Sequence, residues 1–493
     1  MHVMLHSMPM KKLDTGDRAF FDQIRTSAFE NPFGASRLAS DKSAAGLADD
    51  AGELEVLEQL LALLAARLEK LAEGGRIVLG DFVADDRERL RIALLFHIFH
   101  RWRDRTDAYI RDQIARGDEL LAWPEGDALH REILACGIDR DYAAACVAIF
   151  FQFRRAYYFI DQSLRGASPS MRRLREQLWN AIFTCDTRLY VDKLWSRMED
   201  FSTLLLGETG TGKGMAAMAL GRSGYIPYLP ERRTFRESFT KAFLSINLSQ
   251  FAENLIESEL FGHRKGAFTG AIENHDGIFA RCSPCGAIFL DEIGDVSEPI
   301  QIKLLQVLQQ RTFSPVGGHG TLRFSGRVIA ATNQDLAARR ADGRFRNDFY
   351  YRLSSGTIEL PTLRRRLDER ADELERLVAD IVGRLAGEPD GALTDRIVTA
   401  LKRDLPPGYG WPGNVRELEQ AAKSVLLTGH YRGEAPRAEE GDGETRRVLA
   451  GALSLDEVER WYATRLHARL GSYGSVAARL GVDWRTVRKL VRR

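Results

Sequence analysis

The sequence predicts a multidomain chain of α and α/β parts: an all-helical N-terminal domain, a central α/β domain with a helical lid, and a C-terminal helix-turn-helix. Three observations carry that prediction. Apolar residues recur at helical spacing through the first 168 residues with no strand-helix alternation; from Phe201 short apolar runs alternate with helical segments; residues 452–493 read as a small basic helical unit. A chain of 493 residues also exceeds one ordinary domain and suggests about three.

Composition limits the partners. Net charge is +1, so any nucleic-acid contact must come from a local basic cluster. The five cysteines are odd in number and sparse, which fits a reducing cytosol. Cys282-Ser283-Pro284-Cys285 has zinc-like spacing, but no second ligand pair lies near it in sequence, so two thiols in a turn is the preferred reading. Neither a signal-peptide core nor the ~20 apolar residues of a membrane span is evident; the longest apolar stretch, 142–153, runs into Arg154 and Arg155. The expected location is the cytoplasm, with no membrane partner.

In residues 1–168 the helical stripe is clearest at Leu54, Val56, Leu57, Leu60, Leu61, Leu64 and Leu68, and segments 92–110 and 142–164 repeat the pattern with many aromatics. His97 and His100 share a helical face near Asp104, but without further ligands packed or solvated histidines are the preferred reading. A helical regulatory or sensor domain with an unknown effector is expected here, on position alone. Gly166-Ala167-Ser168-Pro169-Ser170 reads as a hinge. The α/β core is placed at 169–366, its lid at 367–430, a polar linker at 431–451 and the terminal unit at 452–493.

The α/β region carries the chemistry. Gly207-Glu208-Thr209-Gly210-Thr211-Gly212-Lys213 follows a predicted strand and opens a helix. Its glycines let backbone N–H groups close on phosphate oxygens, and Lys213 brings a charge to the β and γ phosphates of ATP. The usual Ser or Thr after the lysine is replaced by Gly214, which has no side-chain oxygen for Mg2+. Metal binding then leans on Asp291. Asp291 and Glu292 end the apolar run Ala287-Ile288-Phe289-Leu290, at the carboxyl edge of a buried strand where ligands bind in such sheets. Asp291 is expected to hold magnesium and Glu292 to act as general base toward water. A third strand ends at Asn333, whose amide would sense the γ phosphate. Arg346 and Arg352 would be a solvated face in isolation, but in a ring of subunits such arginines stabilise the transferring phosphate of a neighbour. Arg416, after the turn Gly410-Trp411-Pro412-Gly413, would reach the nucleotide from the lid of the same subunit.

Between the phosphate loop and the acidic strand stands Gly266-Ala267-Phe268-Thr269-Gly270-Ala271, where a nucleotide hydrolase normally has only connecting structure. Glycines at both ends allow a reversal that carries Phe268 and Thr269 at a tip. An exposed aromatic there is costly unless something binds it.

With Glu257 to Lys265 leading into that hexapeptide, Phe289-Leu290-Asp291-Glu292-Ile293-Gly294, Tyr350-Tyr351-Arg352-Leu353 and Trp411 to Leu418, residues 170–430 resemble the central AAA+ domain of sigma-54-dependent transcriptional activators. The resemblance implies that the hexapeptide contacts sigma-54 in the closed RNA polymerase complex and moves with hydrolysis. It also implies a homo-oligomeric ring, commonly a hexamer, with Arg346 and Arg352 as trans-acting fingers, Asn333 as first sensor and Arg416 as second. Asn247 matches the residue that holds the catalytic glutamate until the nucleotide state changes. The sequence departs from the family at Gly214, often acidic there, and at 221–239, which is longer and more aromatic than the usual connection.

At the C-terminal end, Leu455, Val458, Trp461, Tyr462, Leu466 and Leu470 form one stripe that would pair subunits as a dimer on a palindromic site. Helix, glycine turn and a last helix carrying Arg485, Thr486, Arg488, Lys489 and Arg492 resemble the Fis-type helix-turn-helix, which reads enhancer DNA in the major groove. Two other functions compete: an ATP-driven remodeller of another protein, and a DNA-binding regulator that binds nucleotide with little hydrolysis because of Gly214.

Overall fold

A computed structural model describes residues 10–48, 50–433 and 451–492. The chain divides into two compact units, residues 1–431 and 432–493.

The first unit begins with eight helices, α1 (Thr15–Phe29), α2 (Ala35–Ala45), α3 (Glu53–Ala72), α4 (Ala84–Arg101), α5 (Arg103–Arg116), α6 (Pro124–Ala135), α7 (Arg140–Ser163) and α8 (Pro169–Phe183). The α3 stripe buries Val56, Leu60, Leu64 and Leu68, one residue per turn, while Leu54 stays exposed. Asp139 and Ser168 cap α7 and α8 by accepting from the amides of Tyr142 and Met171. The pattern over 92–110, read as one segment, breaks at Trp102, whose indole N–H donates to Glu132 at 2.9 Å.

The sheet follows. Strands β1 (Thr203–Leu206), β2 (Phe243–Asn247), β3 (Ala287–Asp291), β4 (Arg327–Thr332) and β5 (Gly356–Glu359) are all parallel, in the order β2-β3-β4-β1-β5. The central strands carry apolar runs, residues 204–206, 287–290 and 328–331, because both faces are covered. Leu204, Ile288, Leu290, Val328 and Ala330 face one core with α9 (Glu253–Phe261), α10 (Glu298–Gln310) and α11 (Asn347–Leu353). Leu205, Phe289, Ile329, Ala331 and Ile358 face the other, which runs without interruption into the N-terminal helices.

The junction is the aromatic insert after the phosphate-loop helix Lys213–Gly221. It folds as a two-stranded hairpin, Tyr228–Leu229 with Thr234–Phe235. Phe235 stacks on Phe151 of α7 at 4.0 Å and on Trp123 at 5.7 Å. The segment leading into α8, with that helix's first turn, is bonded to the lid, which here begins at Leu363 and not at 367, in helices Leu363–Glu369 and Glu373–Ala386: the Ala167 amide donates to Glu373 (2.8 Å) and the Ser170 amide to Glu369 (2.7 Å). The lid, completed by Gly391–Asp404 and Asn414–Thr428, has its own core around Val378, Ile397, Leu418 and Ala422.

The second unit holds helices Leu455–Leu470, Tyr473–Leu480 and Trp484–Arg492. A capping box at Ser454 and Glu457 starts the first, and Gly471 and Gly481 end the first two in the left-handed region. Leu466, Val476, Ala477 and Val487 close the core. Most of the polar linker read at 431–451 lies outside the described residues.

Candidate active site

Every phosphate-site element sits at the carboxyl edge of the parallel sheet. The phosphate loop leaves β1, Asp291 and Glu292 end β3, and Asn333 follows β4. Gly207, Gly210 and Gly212 all have positive φ. A Cβ on Gly210 would come 2.1 Å from the Gly413 carbonyl oxygen, so only glycine fits where the loop passes beneath the lid.

Lys213 is buried, and its ammonium donates to the loop's own carbonyls, Gly207 at 2.8 Å and Glu208 at 3.2 Å. Burial pushes its pKa down, opposed by Glu292 and Asp291 and reinforced by Arg416. The ammonium thus has carbonyl dipoles and no direct anion partner, a state suited to accepting phosphate oxygens. Gly214 is exposed and has nothing within 4 Å of a built Cβ, so nothing blocks a side chain there. Thr211 donates back to the Glu208 carbonyl at 2.8 Å and stiffens the loop.

The two acids differ in their settings. Asp291 is raised by burial, against the Glu292 amide that bonds it at 3.1 Å and the charges of Lys213 and Arg416. Glu292 is raised by burial and then by the Asp291 charge. Its backbone lies in the left-handed region at φ 56°, which is uncommon for a side chain this large and turns the carboxylate out of the strand. The Asn333 amide donates to it at 3.4 Å, and the Asn333 side chain donates to Thr209 in the phosphate loop at 2.9 Å. Asn247 donates to Asp291 at 3.4 Å and not to Glu292, because Asn247 and Asp291 are register partners across β2 and β3.

Sequence reasoning missed the lid contacts. Asn414 is fully buried at φ 52°; its amide donates to Glu208 (3.1 Å) and the Thr209 carbonyl (3.0 Å) and its oxygen accepts from Leu363 (2.8 Å). Arg364 clamps Glu208 with two bonds, which holds that carboxylate below the usual range. Arg416 stands two residues after Asn414, near enough for its charge to act on Lys213 and Asp291. The only signal for this latch was the asparagine in Gly413-Asn414-Val415, beside a buried Trp411 also at positive φ.

The arginines are elsewhere. Arg346 pairs with Asp348 and Glu298; Arg352 is exposed and its carbonyl accepts from Ser202. Neither joins the phosphate-loop cluster.

The hexapeptide forms a closed hairpin: the Gly266 amide donates to Ala271 (2.8 Å) and the Ala271 amide to Phe268 (3.0 Å), with Gly266 and Gly270 at positive φ. Phe268 is 39% exposed, its ring edge-on to His263 at 4.9 Å, and Thr269 is exposed. Ala267 rests on Gly317 of the next hairpin, which has no room for a Cβ. In the second unit Arg485, Thr486, Arg488 and Lys489 are exposed on the last helix, capped by Asp483; the side chain of Arg492 lies outside the described residues. Leu455, Tyr462 and Leu470 are exposed, while Leu466 is packed inside.

Cys282 and Cys285 are free, and burial raises their thiols to about 12 and about 11. Among the described residues there is no group of three or more metal-ligating side chains, and no helix is long and apolar enough to cross a membrane.

A five-stranded parallel sheet with phosphate loop, acidic strand end and helical lid defines a P-loop α/β protein of the AAA+ class. Residues 190–359 match the Sigma-54 interaction domain. The chain is 35% identical over 371 residues to the nitrogen fixation protein VnfA of Azotobacter vinelandii, covering 72% of this chain and 67% of that one. It is 37% identical over 278 residues to the Nif-specific regulatory protein of the same organism (55% and 46% covered) and 41% over 234 to the transcriptional regulatory protein ZraR of Klebsiella oxytoca (47% and 48%). The chain belongs to the family of sigma-54-dependent transcriptional activators. It spans about half the length of the Nif-specific protein and ZraR. Among solved structures, NtrX from Brucella abortus in complex with ATP is 21% identical, with 73% of this chain and 75% of that one aligned at a TM-score of 0.39.

Proposed function

We propose that this protein is an ATPase that binds enhancer DNA, assembles as a ring and uses hydrolysis to convert the sigma-54 RNA polymerase closed complex to the open one. One observation carries the reading: a continuous path from the nucleotide acids to the hexapeptide. Asn247, bonded to Asp291, ends β2; a short turn leads into α9 (Glu253–Phe261); Ser258 of α9 bonds His263 at 2.7 Å; and the His263 ring holds Phe268. A shift at the acids that moves Asn247 is thereby delivered to the loop tip.

In this reading the phosphate-loop amides, Lys213, Asn333 and Arg416 hold the ATP phosphates. Glu292 accepts the proton of the attacking water as the bond to ADP breaks, releasing phosphate. A bound magnesium ion would supply charge neutralisation at the phosphates, and Asp291 is the side chain placed to hold it. Gly214 would add no side-chain oxygen to such a site. Arg346 and Arg352, away from their own phosphate loop, would complete the site of a neighbouring subunit. Arg485, Thr486, Arg488, Lys489 and Arg492 would contact DNA, with the Leu455, Tyr462 and Leu470 stripe pairing subunits.

Thr269→Ala should leave ATP turnover near the parent value and abolish open-complex formation on a sigma-54 promoter. Normal opening by that variant would remove the coupling. Glu292→Gln should bind ATP but lose most turnover, by about a hundredfold or more; undiminished hydrolysis would refute the base.

A further inference from the structure

The N-terminal helices surround a cavity of about 800 Å3, within the range of small-molecule sites. Its wall is aromatic and continuous. Phe33 stacks on Tyr157 at 5.2 Å and meets Trp179 edge-on at 6.1 Å, Trp179 leans on Phe153 at 5.9 Å, and His100 sits 4.4 Å from Phe96 and 5.0 Å from Phe99.

Around this cavity six polar atoms are buried without a hydrogen-bond partner: Glu30 Oε2, Asp41 Oδ1, Arg91 Nε, His100 Nδ1, Arg175 Nε and Trp179 Nε1. One such group is an exception in a protein interior; six around one cavity are an unfilled set of donors and acceptors. Most of the charges nearby are paired within the protein. Arg37 pairs with Asp41, Arg154 with Asp107 through two bonds, and Arg91 with Glu88. Burial holds His100 neutral, its pKa pushed down to about 3 with Arg37, Arg154 and Arg103 adding to the effect, and burial raises Glu30. An aromatic wall, charges mostly paired with one another, and unfilled hydrogen-bond groups of both kinds favour a neutral planar molecule over an anion or a cation.

The cavity also borders the lid. Gly166, Ala167, Arg175 and Arg370 line it. Arg175 donates to the Leu164 (2.8 Å) and Gly166 (2.5 Å) carbonyls, and Arg366 of the lid donates to the Arg165 carbonyl at 2.7 Å while forming a buried pair with Glu373. A Cβ on Gly166 would collide with both Arg366 and Glu373, so this strap has little freedom to shift without the lid.

We infer that the helical domain is a receptor for a neutral aromatic or heteroaromatic small molecule bearing a hydrogen-bonding group, and that the strap at 164–170 passes occupancy to the lid helices. The effector role rests on the proposed ATPase; the binding site does not.

The test is calorimetric titration of the full-length chain with 2-naphthol, paired with hydrogen exchange over 363–386. Expected are 1:1 binding with a negative heat-capacity change, slower exchange in the lid helices on saturation, and binding about tenfold weaker both for His100→Phe and for Leu57→Trp, which narrows the cavity. Circular dichroism and melting of both variants should match the parent. No binding by the parent, or unchanged binding by a folded Leu57→Trp, would overturn the site; binding without any change over 363–386 would overturn the strap. Absence of ATP turnover in the same preparation would count against the proposed function alone.

Discussion

Glu292 reaches its place by a left-handed backbone immediately after a strand, and both burial and Asp291 hold its proton more tightly than an ordinary glutamate. As a base it must be ionised. Hydrolysis should therefore fall toward acid with an apparent midpoint above the usual carboxylate range, as a property of the Asp291 and Glu292 pair, and a pH profile of kcat/KM checks it. An acid limb at the ordinary glutamate value would sink the assignment. Lys213 presents the opposite balance: a buried ammonium facing only carbonyls is held there for a ligand at a cost to the empty fold. Lys213→Met should raise the melting temperature of the nucleotide-free protein, by on the order of 1 kcal/mol in stability, while abolishing ATP binding. Gly214 lies in a helix with open space around it, so Gly214→Ser should add about 0.5 kcal/mol of stability and lower the magnesium concentration needed for turnover. An unchanged magnesium requirement would show that the missing oxygen is not limiting.

At the scale of elements, legibility followed burial. β1, β3 and β4 showed as apolar runs because both faces are packed, whereas β2 and β5 are the sheet's edges and mix Ser245 or Thr357 and Glu359 with apolar residues, so no run marks them. The phosphate loop, the acidic strand end and the hexapeptide reversal were readable because each needs particular residues at fixed spacing. The lid latch was not, since it is made by contacts more than 150 residues apart: Glu208 to Arg364 and Asn414. Asn414→Ala removes three bonds at once and leaves the buried Leu363 amide unpaired. It should cost about 2 kcal/mol of stability and weaken ATP binding without altering the hexapeptide. Native-state hydrogen exchange in 414–428 is the check, and unchanged protection there would deny the latch.

For the whole molecule, the helical domain and the sheet share one core, and the aromatic insert at 221–239 that departs from the family is the piece that joins them. Arg155 of α7 is wholly buried, donating to the Arg222 (2.8 Å) and Gly224 (2.7 Å) carbonyls between the rings of Phe151 and Phe239, and burial lowers its pKa to about 9. Gln152 adds a bond to the Ser223 carbonyl at 2.9 Å. These contacts close the helix after the phosphate loop from behind, so that helix, which covers the sheet face carrying Leu205, Phe289 and Ile329, relies on residues before 168 for its own cover. Removing residues 1–168 should therefore yield an aggregating or molten species, and not a free ATPase whose change in rate reports repression or activation. The milder Phe151→Ala should lower stability by about 3–5 kcal/mol. It should do so in one transition, because near-ultraviolet dichroism of the aromatic wall and nucleotide binding at Lys213 belong to the same cooperative unit. Two separated melts in calorimetry, with ATP binding surviving the first, would show that the helical domain and the sheet fold independently after all.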